Sequence, residues 1–255
     1  MSHFSPVKSS SFNQLYLRLL RDLRVEPQFK SAPRGQAIHE IVCANFTITC
    51  PSSAPLRTGD ADRDAEIFNY YQKEQLLFRA GLDKATDMAT ASKFWLKIAN
   101  PDGTINSNYG KIIWKDRTCG NSLFAEDYVT PWNWAKSKLI EDADTRQAIM
   151  QISRPDHLWD GNKDVTCTMY CHFFIRENKL ILCSQMRSQD IWLGMPYDCP
   201  WFMGLMETMR LDLVKAYPTL ELGYYHHGVD SLHLYERNFK QAEELIAMQL
   251  GKTCL

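Results

Sequence analysis

No apolar run in this 255-residue chain approaches the roughly 18 to 20 residues that a helical membrane span needs. The opening segment MSHFSPVKSSS also lacks the apolar h-region of a signal peptide. These absences predict a soluble cytoplasmic protein without membrane partners. An excess of either charge is missing too: 29 Lys+Arg stand against 30 Asp+Glu, a net charge of -1. With no broad basic field to gather nucleic acid, any bound phosphate must be met by a few local arginines. Eight cysteines are present but no CxxC pair. Cys167 and Cys171 lie four apart, yet no second Cys/His pair follows at zinc-site spacing, so no metal site is expected. Disulfides are disfavoured in a large chain with no secretion signal, and reduced thiols follow. No internal repeat, low-complexity tract or linker divides the chain, which reads as one domain over 1–255.

What is present is patterning. Phe12, Tyr16, Leu19, Leu20 and Leu23 recur at helical spacing, predicting an amphipathic helix that ends before Pro27. Ile38, Val42, Ala44, Phe46 and Ile48 fall on alternate positions and predict a strand. A helix is expected from about 62 to 80, stopped by Gly81, and another from about 132 to 140. Strand-rich runs follow at 147–153, 166–175, 180–187 and 220–236, with a helix from about 201 to 217 before the last. Helices and strands alternate without the regular period of a doubly wound parallel sheet. The expected class is therefore α+β, a mixed sheet packed with helices.

The segment from Val165 to Tyr197 carries the chemistry. It predicts a strand, a tight turn at Glu177-Asn178, a second strand, then Arg187-Ser188-Gln189-Asp190 and a Gly-Met-Pro loop. Such a hairpin can bring a cysteine on its first strand beside an arginine on its second. Nearby cations stabilise a thiolate, and the same arginine can hold a substrate phosphate. A strand cysteine taken alone is more often a packed core residue. Cys171-His172 is a second candidate for a nucleophile and base, but adjacent strand residues point to opposite faces.

These residues resemble the thymidylate synthase superfamily and, within it, the phage-type deoxycytidylate 5-hydroxymethylases. That family carries a catalytic cysteine, twenty residues later an Arg-Ser-x-Asp motif, then an L-G-x-P-x-[N/D] loop. Arg187, Ser188 and Asp190 match the second motif, Leu193-Gly194-Met195-Pro196-Tyr197-Asp198 the third, and twenty residues before Arg187 stands Cys167. Cys171-His172 is four residues too close to Arg187 and reads as a decoy. Ile105 to Gly110 resembles the segment bearing the family's active-site tyrosine, here Tyr109. Glu74, in QKEQLLF, sits where the family keeps its proton-relaying glutamate. Ser231-Leu232-His233-Leu234-Tyr235 is similar to the His-x-Tyr motif that contacts the sugar. Asp144-Thr145-Arg146 resembles the segment that reaches the partner subunit's phosphate, and Arg34 the phosphate loop.

The resemblance implies a homodimer through the sheet face with shared active sites, in a bacterial or phage-infected host cytosol, and 5,10-methylenetetrahydrofolate as co-substrate. Cys167, Glu74, Tyr109, His233 and Asp198 would be catalytic. Arg34, Arg146, Arg187, Ser188, Asp198, His233 and Tyr235 would bind the nucleotide; Trp95, Asp190, Leu193, Gly194 and Tyr197 would bind the folate. Asp198 would choose the base. An asparagine here suits uracil, whereas a carboxyl group can accept from the cytosine amino group and, if protonated, donate to N3. The expected reaction is hydroxymethylation of dCMP. Alternatives are a dCMP methyltransferase, a CMP hydroxymethylase, a thymidylate synthase, or an inactive nucleotide- or RNA-binding relative. Gln147 replaces the family's usual second arginine after Arg146, which removes one charge from the phosphate clamp and leaves room for a ribonucleotide.

Overall fold

A computed structural model describes residues 7–116 and 129–253; Cys119 and Cys254 lie outside the described residues. Among the described residues, eight strands form one mixed sheet: β1 (Val7–Ser9), β2 (Phe29–Ser31), β3 (Ile38–Ile48), β4 (Ile149–Gln151), β5 (Thr168–Arg176), β6 (Lys179–Met186), β7 (Gln189–Asp190) and β8 (Glu221–Tyr235). The helices are α1 (Phe12–Val25), α2 (Ala61–Ala80), α3 (Ala85–Met88), α4 (Phe94–Ile98), α5 (Tyr109–Trp114), α6 (Pro131–Glu141), α7 (Met195–Asp212) and α8 (Phe239–Thr253). The main sheet order is β1-β3-β8-β6-β5-β4, with β2 added to β3 and β7 to β8.

Local chemistry fixes the pieces that matter for function. Asp60 caps α2 by accepting from the Arg63 amide at 2.9 Å, and Gly81 ends the helix in the left-handed conformation at φ 63°. The β5–β6 hairpin turns at Glu177 and Asn178, both at positive φ (51° and 58°), which matches the twist of the flanking strands. The hairpin brings the beginning of β5 beside the end of β6. The Arg187 amide then donates to the Cys167 carbonyl at 2.9 Å, so the two residues become neighbours across the ladder. Parallel pairing of β7 with β8 sets Asp190 opposite His233. On α5, a Cβ at Gly110 would fall 1.6 Å from the Phe78 carbonyl oxygen, so the helix lies directly on the α2 backbone and holds Tyr109 near Glu74's helix.

Helix packing leaves the two sheet faces unlike each other. Along β5, Cys171, Phe173 and Ile175 are buried, while Tyr170, His172, Phe174 and Arg176 are only partly buried. The buried set meets the core with Phe202, Met206 and Trp132. The other set forms a half-covered face rich in aromatic and polar side chains.

The structure departs from the sequence pattern at β3, at Cys167, at the start of α7 and at α8. Strand β3 does not keep its alternation: Cys43 takes φ 57°, and the buried residues shift from Ile41 to Ala44, leaving Val42 exposed. Cys167 lies one residue before β5 and not on the strand. Helix α7 begins at Met195 with Gly194 as its N-cap, so Met195, Pro196 and Asp198 belong to its first turn and not to a loop. Pro196 suits the first turn, where its missing N–H is no loss. Pro200 gives up one further backbone bond, and the deeply buried Cys199, Trp201, Phe202 and Met203 around it keep the helix in place. Helix α8 has no counterpart in the pattern reading.

Candidate active site

The ends of β3, β6, β7 and β8, the start of α7 and one face of α2 enclose a cavity of about 900 Å³. Its lining includes Cys167, Arg187, Ser188, Arg34, Glu74, Tyr109, Asp198, His233, Tyr235, Trp95, Asp190, Leu193 and Gly194. A second cavity of about 660 Å³ shares Glu74, Phe94, Trp95 and Leu193 with the first and adds Tyr70 and Tyr197. Residues scattered along most of the chain thus converge on one place. Arg146 does not join them. It is exposed in a separate depression with Asp142, Asp144, Thr145 and Gln147.

Cys167 carries a partly buried thiol. The Arg187 guanidinium approaches its sulfur at 3.8 Å and is held there by donating to the carbonyls of Val165 (2.6 Å) and Thr166 (3.0 Å). Burial pushes the thiol up, and the cations of Arg187 and Arg34 pull it back only in part. Arg187 thus favours the thiolate as expected from its position, but desolvation outweighs it. Cys171, by contrast, is fully buried in the core and its thiol is pushed well up by burial, while His172 lies on the other face against Phe174 at 4.1 Å. The two adjacent residues form no catalytic pair.

Two carboxyl groups deep in the cavity hold their protons unusually tightly. Glu74, on the inner face of α2, is 7% exposed, and burial pushes it up to about 8 against a hydrogen bond from the Tyr70 hydroxyl at 2.7 Å. The i, i+4 spacing of Tyr70 and Glu74 makes that bond possible. Asp198 is pushed up to about 7 by burial, opposed by the Gln189 amide at 3.1 Å. Tyr109 is buried in the cavity wall and stays protonated, facing Cys167 and Asp198. At neutral pH the site is thus stocked with groups that can donate protons as well as accept them.

The remaining positions are defined by their partners. Asp190 accepts from the amides of Trp192 (2.8 Å) and Leu193 (3.1 Å), so it holds the turn into α7 while facing the cavity. His233 stands at right angles to Tyr235 with ring centroids 5.1 Å apart. Tyr197 packs on Tyr70 at 4.5 Å and lines only the second cavity. Arg34 enters the first cavity from a short turn in which it adopts φ 53°.

Sequence reading missed Tyr70, Gln189, His227 and Asp164. Asp164 accepts from the amides of Asn106 (2.6 Å) and Ser107 (2.9 Å), tying the segment before Cys167 to the one that carries Tyr109. Only the Tyr70–Glu74 pair had a readable signal, its i, i+4 spacing; the others are joined by long-range packing.

The buried acid has a consequence for stability. Glu74 keeps its proton in the folded chain up to about pH 8, whereas the unfolded chain releases it near 4.5. Its contribution is therefore fully present below pH 4.5 and is lost as pH rises through 8. Glu74→Gln should flatten the fall in melting temperature between about pH 5 and pH 9, on the order of several degrees. Parallel melting curves for the two proteins would show that Glu74 is not the group responsible.

The thymidylate synthase family model matches residues 14–253. The deoxycytidylate 5-hydroxymethyltransferase of Enterobacteria phage T6 is 32% identical over 153 residues, 58% of this chain and 58% of that protein. The deoxyuridylate hydroxymethyltransferase of Bacillus phage SP01 is 26% identical over 228 residues, 87% of this chain and 56% of its own length. The chain thus matches a little over half the length of these relatives. Thermostable thymidylate synthase A from Bacillus subtilis shares the fold with a TM-score of 0.70 at 18% identity, over 92% of this chain and 84% of that one. With a family match across nearly all of its length and a mixed sheet that superposes on a solved relative, the chain belongs to the thymidylate synthase family.

Proposed function

We propose that this protein is a folate-dependent pyrimidine nucleotide transferase acting at C5, a dCMP 5-hydroxymethylase built as a single catalytic domain. The observation that carries this reading is the placement of a proton-holding carboxyl, Asp198, in the same cavity as Cys167, Glu74 and Tyr109. Asp198 suits cytosine because one oxygen can accept from the amino group while the other, protonated, donates to N3.

The phosphate is held by Arg187, Ser188 and Arg34, and the sugar by His233 and Tyr235. Arginine provides charge-assisted bonds in a planar fork. Cys167 gives its electron pair to C6 of the base, forming a C–S bond and turning C5 into a nucleophile. Its thiol proton has to leave first, and Arg187 lowers the cost of the anion. C5 bonds to the methylene carbon of the folate as one of that carbon's two C–N bonds opens. A proton then leaves C5 to the relay of Tyr109 and Glu74, which Tyr70 holds, the second C–N bond breaks and tetrahydrofolate departs. Water, giving a proton to the same relay, adds to the exocyclic methylene. Cys167 is then expelled, restoring the aromatic ring.

Methylenetetrahydrofolate supplies the one-carbon unit at the oxidation level of formaldehyde. The second cavity fits it: Trp95, Phe94, Leu193 and Tyr197 offer apolar and aromatic walls next to the nucleotide cavity, and Asp190 lines the nucleotide cavity beside Leu193. The names of the phage relatives, a deoxycytidylate and a deoxyuridylate hydroxymethyltransferase, support water and not hydride as the nucleophile that adds to the methylene. Incubating the protein with dCMP and methylenetetrahydrofolate, then weighing the nucleotide while following dihydrofolate absorbance, tests this. Hydroxymethyl-dCMP with flat absorbance is expected. Methyl-dCMP with a stoichiometric rise would make it a methyltransferase, and product from CMP alone would assign the ribose substrate that Gln147 allows.

The half-covered sheet face and the isolation of Arg146 from its own cavity support a twofold dimer in which Arg146 serves the neighbour's phosphate. Mixing inactive Cys167→Ser and Arg146→Ala chains should restore up to about a quarter of wild-type activity, since one of the two sites of each hybrid is intact. No recovery under conditions that exchange subunits would remove Arg146 from the shared site.

A further inference from the structure

Behind Asp198 lies a buried chain of polar groups that the proposed reaction does not use. Gln189 Nε2 stands 3.1 Å from Asp198 Oδ2, and Gln189 Oε1 stands 3.1 Å from His227 Nε2. His227 Nδ1 in turn lies 2.6 Å from both the Ser184 hydroxyl and the Tyr225 hydroxyl, which are 2.7 Å from each other. Gln189, His227, Ser184 and Tyr225 are all buried, His227 and Tyr225 completely. They come from β6, β7 and β8, three neighbouring strands, and meet the first turn of α7. In a core this deeply buried, four polar side chains survive only if each is satisfied, and that requirement restricts where the protons sit.

We propose that His227 and Gln189 form a one-way hydrogen-bond relay that fixes which oxygen of Asp198 donates to the pyrimidine base and which accepts, making both positioning residues for base selection. The inference rests on the reading of Asp198 as the base selector. Burial holds His227 neutral, pushed down to about 3, so only one ring nitrogen carries hydrogen. Two hydroxyls can supply a proton to Nδ1, one bonding it and the other bonding the first. Hydrogen then belongs on Nε2, which donates to Gln189 Oε1, and the Gln189 amino group is turned to Asp198 Oδ2. This arrangement works for either charge state of Asp198. The reverse, with Gln189 flipped, needs a proton on Asp198 Oδ2 at all times.

The direction of the chain has a chemical result. Oδ2 is engaged as an acceptor, so when Asp198 carries its proton the proton resides on Oδ1. A carboxyl group so arranged offers an O–H to the unprotonated N3 of cytosine, and the remaining lone pair of Oδ2 to the amino group. Uracil presents N3–H and O4, which oppose it at both points, and unpaired buried groups are costly. Gly194 keeps this geometry possible, because a Cβ at that position would fall 3.2 Å from Asp198 Oδ2 and press on it. Other titratable groups face Asp198 as well: Glu74 from α2, Tyr109 from α5, Cys167 before β5, Asp190 from β7, and Cys199 and Tyr225 from the core side.

The test is the ratio of dissociation constants for dCMP and dUMP, measured by titration calorimetry on the full chain, so that no turnover is required. His227→Phe and Gln189→Met should each reduce the preference for dCMP by at least about tenfold, the equivalent of one lost hydrogen bond of about 1.4 kcal/mol. His227→Gln, whose side-chain amide nitrogen can take the place of the imidazole Nε2, should keep it within about threefold. A purely structural role would lower the melting temperature of all three without separating the ratio. If His227→Phe does not fold, Gln189→Met and His227→Gln still decide the matter. An unchanged ratio in Gln189→Met overturns the relay, as does loss of the ratio in His227→Gln. Asp198→Asn separates this inference from its foundation: if it moves the ratio and Gln189→Met does not, only the relay fails; if it does not move the ratio, the reading of Asp198 fails.

Discussion

Cys167→Ser should lower turnover by more than about a thousandfold while dCMP affinity changes by less than about threefold, the pattern of a group that acts only after the substrate is bound. The hydroxyl is close in size to the thiol but a far weaker nucleophile at neutral pH. Arg187 would still hold its place through the carbonyls of Val165 and Thr166, so the phosphate site should survive the change. Cys171→Ser is the comparison. Its thiol faces the core, away from the cavity, and the variant should keep most of the activity of any protein that folds. A dead Cys171→Ser with an active Cys167→Ser would move the nucleophile four residues along the chain.

Asp198→Asn should reverse the choice of base, moving the ratio of kcat/KM for dCMP over dUMP toward dUMP by on the order of 10³ to 10⁴. The amide at that position donates to O4 and accepts from N3–H, the pattern uracil requires. For the amide nitrogen to face O4 it must take the place of Oδ2, so Gln189 turns its oxygen toward it and the His227 proton moves to Nδ1, a reversal of the buried chain that leaves every group paired and the fold retained. Release of tritium from C5 of each nucleotide in the presence of methylenetetrahydrofolate gives both rates. Equal ratios before and after the substitution would mean that another group reads the base.

How much of this was legible depends on the range over which each feature is encoded. The amphipathic α1, the Gly81 stop of α2 and the β5–β6 turn are local, written in spacing and in residues that tolerate positive φ. The core of the site was legible for a related reason: Cys167, Arg187 and Asp198 are spaced by one hairpin and one helix start. What failed was of another kind. Helix α7 begins at Met195, not at about 201, because Cys199, Trp201 and Phe202 gain a core that local spacing does not encode. Val42 is exposed because one residue, Cys43, turns the strand over. His227, Gln189, Tyr225 and Ser184 are separated by up to 43 residues and are joined only when β6, β7 and β8 pair. The electrostatics were the least legible, since the rise of Glu74 and Asp198 comes from burial, which a sequence does not state.

Trapping with a fluorinated nucleotide addresses the nucleophile and the base at once. Fluorine at C5 cannot depart as a proton does, so a chain that adds Cys167 to C6 and then acquires the one-carbon unit should stop with both bonds in place. The protein would be incubated with 5-fluoro-dCMP and methylenetetrahydrofolate, weighed intact, digested and sequenced by mass spectrometry, with 5-fluoro-dUMP as the parallel sample. The expected result is a mass gain of nucleotide plus methylene-bound folate with 5-fluoro-dCMP, located on the peptide bearing Cys167, and little gain with 5-fluoro-dUMP. An unmodified protein, or an adduct on Cys171, would refute Cys167 as the nucleophile; equal trapping of the two nucleotides would refute Asp198 as the base selector.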